Sequence, residues 1–437
     1  MILLYLFFFT ILVFCSLRDF KKTVLVFSAL QPFLHFGVCI VSSPTLSLKT
    51  AGILWLLILY FIKRNSISAS AYPLAKISII YTIATVFLAY FVDTHISSYA
   101  TYLLQDIVLN VGLGFLFWQV LGTPRDIRFF THVLASVFVV ICTYAIFEAL
   151  TISNPVLDFE RSLLPDGGVS AIWQSNEIRF GLKRCQSVCS IHLVFGGFCA
   201  FFATFFYRMY TNYPRLLSSK CYSYRYLIFI LGSLGVLLCN SKSSMICFLV
   251  AMSLQFLNPK YLKGKYLIRF LIVLPIIFLA LQPFIEAMIV AMDEDKAAEM
   301  GGSSYAMRDS QLELVLYKAW EAPFLGHGLK SMGELFRFYQ GALLGAESVW
   351  FNLLYERGLV GCILHLVLCL SICIYWRIDI MILSIPVAWV IFETVTSTPG
   401  MDFSFPLILC LVLIKSRKYY ANQFNINITN KRICTHI

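Results

Sequence analysis

Charged residues are scarce in this sequence: Asp, Glu, Lys and Arg together make up 13% of its 437 residues, against roughly a quarter in soluble domains. A soluble enzyme of that length needs a charged surface, so that class is excluded. The familiar soluble-enzyme motifs are missing too. There is no GxxxxGK[ST] phosphate loop, no HExxH, no GxSxG elbow and no Rossmann glycine pattern. No repeat with a period of 20–50 residues is present, nor any low-complexity tract. The 14 cysteines include no CxxC pair, and most lie in or beside apolar runs (Cys39, Cys142, Cys199, Cys247, Cys369, Cys373), where cysteine behaves as a small apolar residue. Cys185 and Cys189 stand at helical spacing near a span end, where neither a disulfide nor a metal site is expected. No cofactor is called for.

What is present is apolar: 59% of the chain is hydrophobic and 16% aromatic. The runs predict about thirteen membrane-crossing helices, each limited by the roughly 20 residues a bilayer requires. They fall near 2–17, 23–43, 50–62, 75–92, 103–121, 129–150, 189–209, 226–239, 243–257, 269–290, 348–370, 379–396 and 403–414. The expected fold class is therefore all-α, a polytopic integral membrane protein in which residues 1–437 form one multi-span domain. The first run lacks a basic n-region and a small-residue cleavage site, so it reads as a retained span.

The net charge of +11 is explained by position. Short basic clusters separate alternate spans: Arg18, Lys21 and Lys22; Lys63, Arg64 and Lys76; Arg125 and Arg128; Arg208, Arg215, Lys220 and Arg225; Lys260, Lys263, Lys265 and Arg269; and the tail with Lys415, Arg417, Lys418, Lys431 and Arg432. Basic residues in short loops mark the cytoplasmic side, which puts the N-terminus outside and the 415–437 tail inside. The basic excess is thus topology, and no nucleic-acid partner is expected. Two long polar loops, 151–188 and 291–347, then fall on the outer face, and loops of that length suggest function.

Within the second loop, Leu312, Val315, Leu316, Ala319 and Trp320 recur at spacings of three and four, predicting an amphipathic helix over 308–321. Ser303 or Ser304 is the expected cap, and Pro323 with Gly326-His327-Gly328 the turn that ends it. A second short helix is expected over 329–339, the pair roofing a site between the spans.

The candidate chemistry lies on these loops. Arg179, Lys183 and Arg184 precede the seventh span on the outer side, against the sorting trend; they either anchor lipid headgroups or bind a phosphate-bearing lipid, since guanidinium matches phosphate oxygens in a bidentate way. Lys242, in the Ser241-Lys242-Ser243 turn, either snorkels or helps a helix start hold an anion. Arg308 opens the amphipathic helix, where a cation opposes the helix dipole. His327 is a turn residue or a substrate contact. Glu347, where a polar loop enters an apolar span, is an exposed helix-start carboxylate or a general base, ionised at neutral pH and able to accept a hydroxyl proton. Asn352, just inside that span, is with His327 a candidate substrate contact. Glu356 and Arg357 lie deeper in the span, where charge suggests function. His35, His132 and His365 read as polar packing contacts inside spans.

In these residues the chain resembles the O-antigen polymerase (Wzy) and O-antigen ligase superfamily of bacterial envelope proteins. The pieces come in order over roughly 175–375: Arg179-Phe180-Gly181 with Arg184; Ser241-Lys242-Ser243, with Lys where the family often has Arg; Arg308 through Trp320 to Pro323-Phe324-Leu325-Gly326-His327-Gly328; and Glu347-Ser348, Leu353-Leu354, Glu356, Gly358-Leu359-Val360-Gly361. The ligases typically carry His-Asn where this chain has Glu347-Ser348, which favours the polymerase branch. The resemblance implies a metal-independent inverting glycosyltransferase of the inner membrane acting on undecaprenyl-pyrophosphate-linked repeat units, making O-antigen, capsule or another exopolysaccharide. It implies Arg179, Arg184, Arg308 and Lys242 on the pyrophosphate, Glu347 as base, and a separate chain-length-regulating co-polymerase as partner beside the lipid bilayer. The alternatives are a ligase moving finished glycan to lipid A core and a lipid-linked oligosaccharide flippase.

Overall fold

The computed structural model describes residues 2–34, 39–42, 45–63, 71–92, 96–163, 178–179, 182–256, 305–329, 331–339, 348–375, 380–396 and 402–434. These residues are nearly all helical. In chain order the helices are α1 (Ile2–Arg18), α2 (Phe20–Ala29), α3 (Leu48–Ile62), α4 (Ala75–Val92), α5 (Ile96–Ile107), α6 (Leu113–Val120), α7 (Pro124–Thr151), α8 (Pro155–Leu163), α9 (His192–Asn212), α10 (Ser219–Ser223), α11 (Arg225–Leu238) and α12 (Lys242–Phe256). Then come α13 (Tyr305–Ala319), α14 (Ser331–Phe338), α15 (Val349–Tyr375), α16 (Ile380–Val395) and α17 (Ser404–Cys434). The described strands form two small antiparallel pairs, Cys39–Ser42 with Thr45–Ser47 and Ile178–Arg179 with Leu182–Lys183.

Among the described residues, five helical segments are long and apolar enough to cross a membrane: Ala75–Val92, Leu103–Val120, Pro124–Thr151, His192–Asn212 and Val349–Ile372. The second of these runs through a π-helical turn, Val108–Gly112, that joins α5 to α6. Five shorter apolar helices lie over Leu3–Arg18, Leu48–Ile62, Arg225–Leu238, Lys242–Gln255 and Ile382–Val395. The expected span at 269–290 lies outside the described residues. The one expected over 23–43 is not a single helix. Its α2 has 10 residues, about 15 Å at the α-helical rise, half the hydrocarbon core. Pro32 opens a single 3-10 turn at Gln31–Phe33, because a proline lacks the N–H that would continue the helix. At the other end of the chain α17 continues through Cys434 instead of stopping at 414. No Gly or Pro follows Pro406 in that stretch to break it.

The described chain forms two compact units. One comprises Met1–Lys76, Leu104–Phe248 and Pro399–Ile437; the other comprises Ile77–Leu103 and Leu249–Thr398. The first is organised on α9, whose Phe195, Phe198, Phe201, Phe202, Phe205 and Phe206 are all buried. Phe202 stacks face to face on Phe138 of α7 at 3.9 Å, and Phe198 meets Phe405 of α17 edge-on at 4.7 Å. Small residues let α9 and α11 close up: a Cβ on Gly235 would meet Cys199 Sγ at 2.6 Å, the close approach that glycine at a helix interface permits. Within this unit Lys49 and Asp402 form a buried ion pair at 2.5 Å, tying the start of α3 to the lead-in of α17.

In the second unit α13 and α14 pack on α15 through Val315, Met332, Leu335 and Tyr355, with Phe351, Leu354 and Tyr339 at the margin. The expected apolar face of α13 divides. Val315 and Ala319 are buried together with Gln311, whereas Leu312, Leu316 and Trp320 are exposed, Trp320 at 77%. Four-residue spacing keeps each set on its own stripe.

Candidate functional site

In the first unit the segment after the second hairpin folds onto the end of α7. Glu148, in the last turn of that helix and fully buried, is the organising group. Its Oε2 accepts hydrogen bonds from the backbone N–H of Ser187 (2.7 Å) and Gln186 (3.2 Å), and its Oε1 lies 3.3 Å from Lys183 Nζ. Ser187 sits in the left-handed region at φ 53°, a strained setting for a non-glycine residue. Three further bonds hold that conformation: Ser187 Oγ to Ile141 O (2.7 Å), Asn154 Nδ2 to Ser187 O (2.8 Å) and Tyr144 OH to Asn154 Oδ1 (2.8 Å). The Arg179–Arg184 basic cluster is therefore not uniform, since Lys183 is committed to Glu148.

Arg184 goes elsewhere. The next residue, Cys185, donates its N–H to Leu238 O at 3.0 Å, which carries the segment to the end of α11. The Arg184 side chain is buried and within electrostatic reach of Cys239. The α11–α12 connection is sharp, with Asn240 left-handed at φ 47°, and Lys242 opens α12 half-buried, flanked by buried Ser241, Ser243 and Ser244. Arg184 and Lys242, fifty-odd residues apart in sequence, are thus both brought to the α11–α12 turn. Cys185 and Cys189 are free buried thiols, and burial pushes the Cys185 thiol up to about 12, so it is inert as a nucleophile. Arg179 lies on the short Ile178–Arg179 strand.

In the second unit the glycine-rich turn after α13 is docked into a break in α15. Gly358 has φ 60° and ψ −166°, a conformation open essentially to glycine. The break strands carbonyls and N–H groups of the helical ladder, and each must find a partner. The turn supplies them. His327 N donates to Tyr355 O (2.8 Å) and Gly328 N to Glu356 O (3.0 Å), while Leu359 N donates to Pro323 O (2.9 Å) and Val360 N to Phe324 O (3.2 Å). Gly326, at φ 75°, leaves no room for a side chain: an added Cβ would lie 2.5 Å from Arg357 N. An added Cβ on Gly358 would collide with the backbone of Phe324.

His327 is part of this dock. Its ring stacks on Tyr355 at 4.3 Å, and its Nε2 lies 3.7 Å from Glu321 Oε2. The hydrogen bond from Lys318, at 2.7 Å, holds the Glu321 carboxyl below its ordinary range and raises the Lys318 ammonium. A small cleft beside the dock is lined by Thr85, Leu88, Gly328, Leu329, Glu356 and Arg357, with Arg357 Nη1 3.5 Å from Tyr81 OH. Arg308 falls in the first turn of α13, since the helix begins at Tyr305. Asn352 is half-buried in the first turn of α15. Glu347 and the expected capping serines 303 and 304 lie outside the described residues. Ser348, next to Glu347, caps α15 by accepting from Trp350 N (3.2 Å) and donates to Glu393 O (3.1 Å).

Two buried, paired carboxylates escaped the sequence reading, Glu148 and Glu393. Each is a lone acid inside an apolar run, which is a signal in itself. Glu393, on α16, meets His365 of α15: Nε2 lies 2.9 and 3.1 Å from the two carboxylate oxygens. His365 is therefore one half of a buried pair and more than a packing contact. His132 does fit that description, its Nδ1 lying 3.2 Å from Ser218 Oγ and 3.4 Å from Cys221 Sγ. No family model matches this chain, and no curated protein matches its sequence.

Proposed function

We propose that this chain is a bacterial polysaccharide polymerase that joins undecaprenyl-pyrophosphate-linked repeat units by inverting glycosyl transfer at the periplasmic face of the inner membrane. The observation that carries this reading is the interlocked backbone of the Pro323–Gly328 turn and the Gly358 break. These are two of the sequence pieces on which the resemblance rests, and their glycines have one shared physical reason. In the fold these two pieces exchange four backbone hydrogen bonds, with positive-φ glycines at 326, 328 and 358.

The transfer requires a cationic site for a pyrophosphate, a base for a sugar hydroxyl, and a surface against lipid. Lys242, at the start of α12, and Arg184, beside the turn that leads into it, are the cations we assign to the first requirement. A cation at the first position of a helix is unfavourable for the helix alone and favourable once an anion is held at that helix start. The resemblance gives Arg179 and Arg308 the same ligand. The exposed stripe of Leu312, Leu316 and Trp320, continued by Phe324 and Leu325, suits the bilayer boundary, where Trp is enriched. In the reaction the acceptor hydroxyl oxygen attacks the anomeric carbon, Glu347 takes the hydroxyl proton, and the bond to pyrophosphate breaks with its electron pair leaving on the carrier. Cations at the phosphates stabilise the charge gained there. A chain-length-regulating co-polymerase remains the expected partner.

The test is gel analysis of envelope polysaccharide after deletion of the gene, complemented by wild type, Arg308→Ala and Glu347→Gln. A ladder that collapses to one carrier-linked repeat and returns only with wild type supports polymerisation. Long polymer left on the carrier transfers the assignment to a ligase. Absence of any repeat on the periplasmic side transfers it to a flippase.

A further inference from the structure

The buried pair between α15 and α16 has a third member. Cys369, one turn after His365, places Sγ 3.6 Å from the same Nε2 that faces Glu393. One donor atom from each of the three side chains lies within 4.8 Å of the others. All three residues are buried: His365 at 7%, Cys369 at 0% and Glu393 at 2% exposure. We propose that His365, Cys369 and Glu393 bind one divalent d-block cation of the zinc type, clamping α15 to α16. The inference stands independently of the polymerase reading, and Glu347 is not among the ligands.

Geometry comes first. Residues four apart share a helix face, so α15 presents the imidazole and the thiol side by side while α16 brings the carboxylate. With Zn–N of about 2.0–2.1 Å and Zn–S of about 2.3 Å, tetrahedral angles set the N···S edge at about 3.6 Å, the separation found here. Both carboxylate oxygens lie within 3.1 Å of Nε2. A single proton on Nε2 points along one line and satisfies one acceptor well. A cation among the donors satisfies all three groups.

Charge agrees. A dication with one thiolate, one carboxylate and a neutral imidazole sums to zero, which suits a helix pair among apolar residues, where net charge is costly. Binding releases the thiol proton to solvent. The ligand mix of nitrogen, sulfur and oxygen selects a borderline-soft metal over magnesium or calcium. The surroundings also hold the ligands in place. Trp350 lies edge-on to the His365 ring at 5.6 Å, and its Nε1 donates to Thr394 Oγ1 at 3.1 Å. Ser348 fixes the Glu393 backbone. Three protein donors leave a fourth position for water or another small ligand.

The test uses the full-length chain in detergent, purified without a polyhistidine tag, with zinc measured by mass spectrometry and cobalt(II) titrated by absorbance. The expected result is one equivalent per chain, with tetrahedral ligand-field bands and a thiolate-to-cobalt charge-transfer band. Cys369→Ser should abolish the charge-transfer band, and His365→Ala and Glu393→Gln should each weaken binding tenfold or more. A chelator should lower the unfolding midpoint of wild type and leave that of Cys369→Ser unchanged, which separates a lost site from a lost fold. Substoichiometric metal in wild type, or stoichiometric binding that survives the three substitutions, would overturn the proposal.

Discussion

Replacing Lys183 with Met should destabilise the first unit far more than a surface lysine would. Lys183 and Glu148 side chains are 2% and 0% exposed, with charges 3.3 Å apart. At an effective dielectric of about 20 the gross attraction at that distance is about 5 kcal/mol. Much of it offsets desolvation of the two ions, but removing one partner leaves the other buried and uncompensated, which costs about 3–5 kcal/mol. Glu148 would keep its bonds from Ser187 and Gln186, which places the expected loss near 3 kcal/mol, a fall in midpoint of roughly 5 °C. The assay is thermal unfolding in detergent followed with a thiol-reactive dye, for which the buried free cysteines 142, 185, 189, 199 and 239 are reporters. Glu148→Gln should cost a similar amount, and the double variant should cost less than the two singles added, with a coupling of about 1–3 kcal/mol. Strict additivity, or a Lys183→Met midpoint equal to wild type, would refute the claim that this pair anchors the segment leading to Arg184.

Other outcomes follow from the same geometry. Gly326→Ala, which puts a Cβ against Arg357 N at positive φ, should open the dock at a cost of at least about 1–3 kcal/mol, seen as new protease cleavage between 320 and 330 and loss of polymer in complementation. Gly333→Ala, with nothing within 4 Å of its added Cβ, should leave both readouts unchanged. Gly196→Val should disrupt the first unit, because an added Cβ already collides with Cys239 and Ser244; poor yield and a lowered midpoint are expected. Asp19 caps α2, accepting from Lys22 N at 3.1 Å, and its carboxyl is held below the usual range by Lys22. A depressed carboxylate stabilises above its unfolded pKa and loses that contribution as pH falls through the lowered folded value. The stability difference between wild type and Asp19→Ala, about 1 kcal/mol at neutral pH, should therefore shrink below about pH 4; a difference constant from pH 7 to 3 would contradict it.

Much of the architecture was legible because hydropathy and helix length act locally. The runs at 129–150, 189–209 and 348–370 became α7, α9 and α15, and the period in 308–321 marked α13 at 305–319. The short α2 was also readable in principle, since Pro32 stands inside the expected span. The division of the α13 face was not: Leu312 and Val315 are equally apolar, and only the position of α15 determines which is covered. The candidate cations were visible as outliers against charge sorting, but their partners were not. Lys183 and Arg184 are adjacent in sequence, and Glu148 claims one while the α11–α12 turn receives the other.

By itself the sequence determined that the chain is helical and apolar enough for a membrane, where its helices lie, and which glycines stand at turns, because those properties depend on neighbours within a turn or two. Only tertiary structure decided the pairings Glu148–Lys183, His365–Cys369–Glu393 and Pro323–Gly328 with the Gly358 break. Each depends on where a distant helix end arrives, and a buried charge or a broken helical ladder has no stable form until that partner is in place.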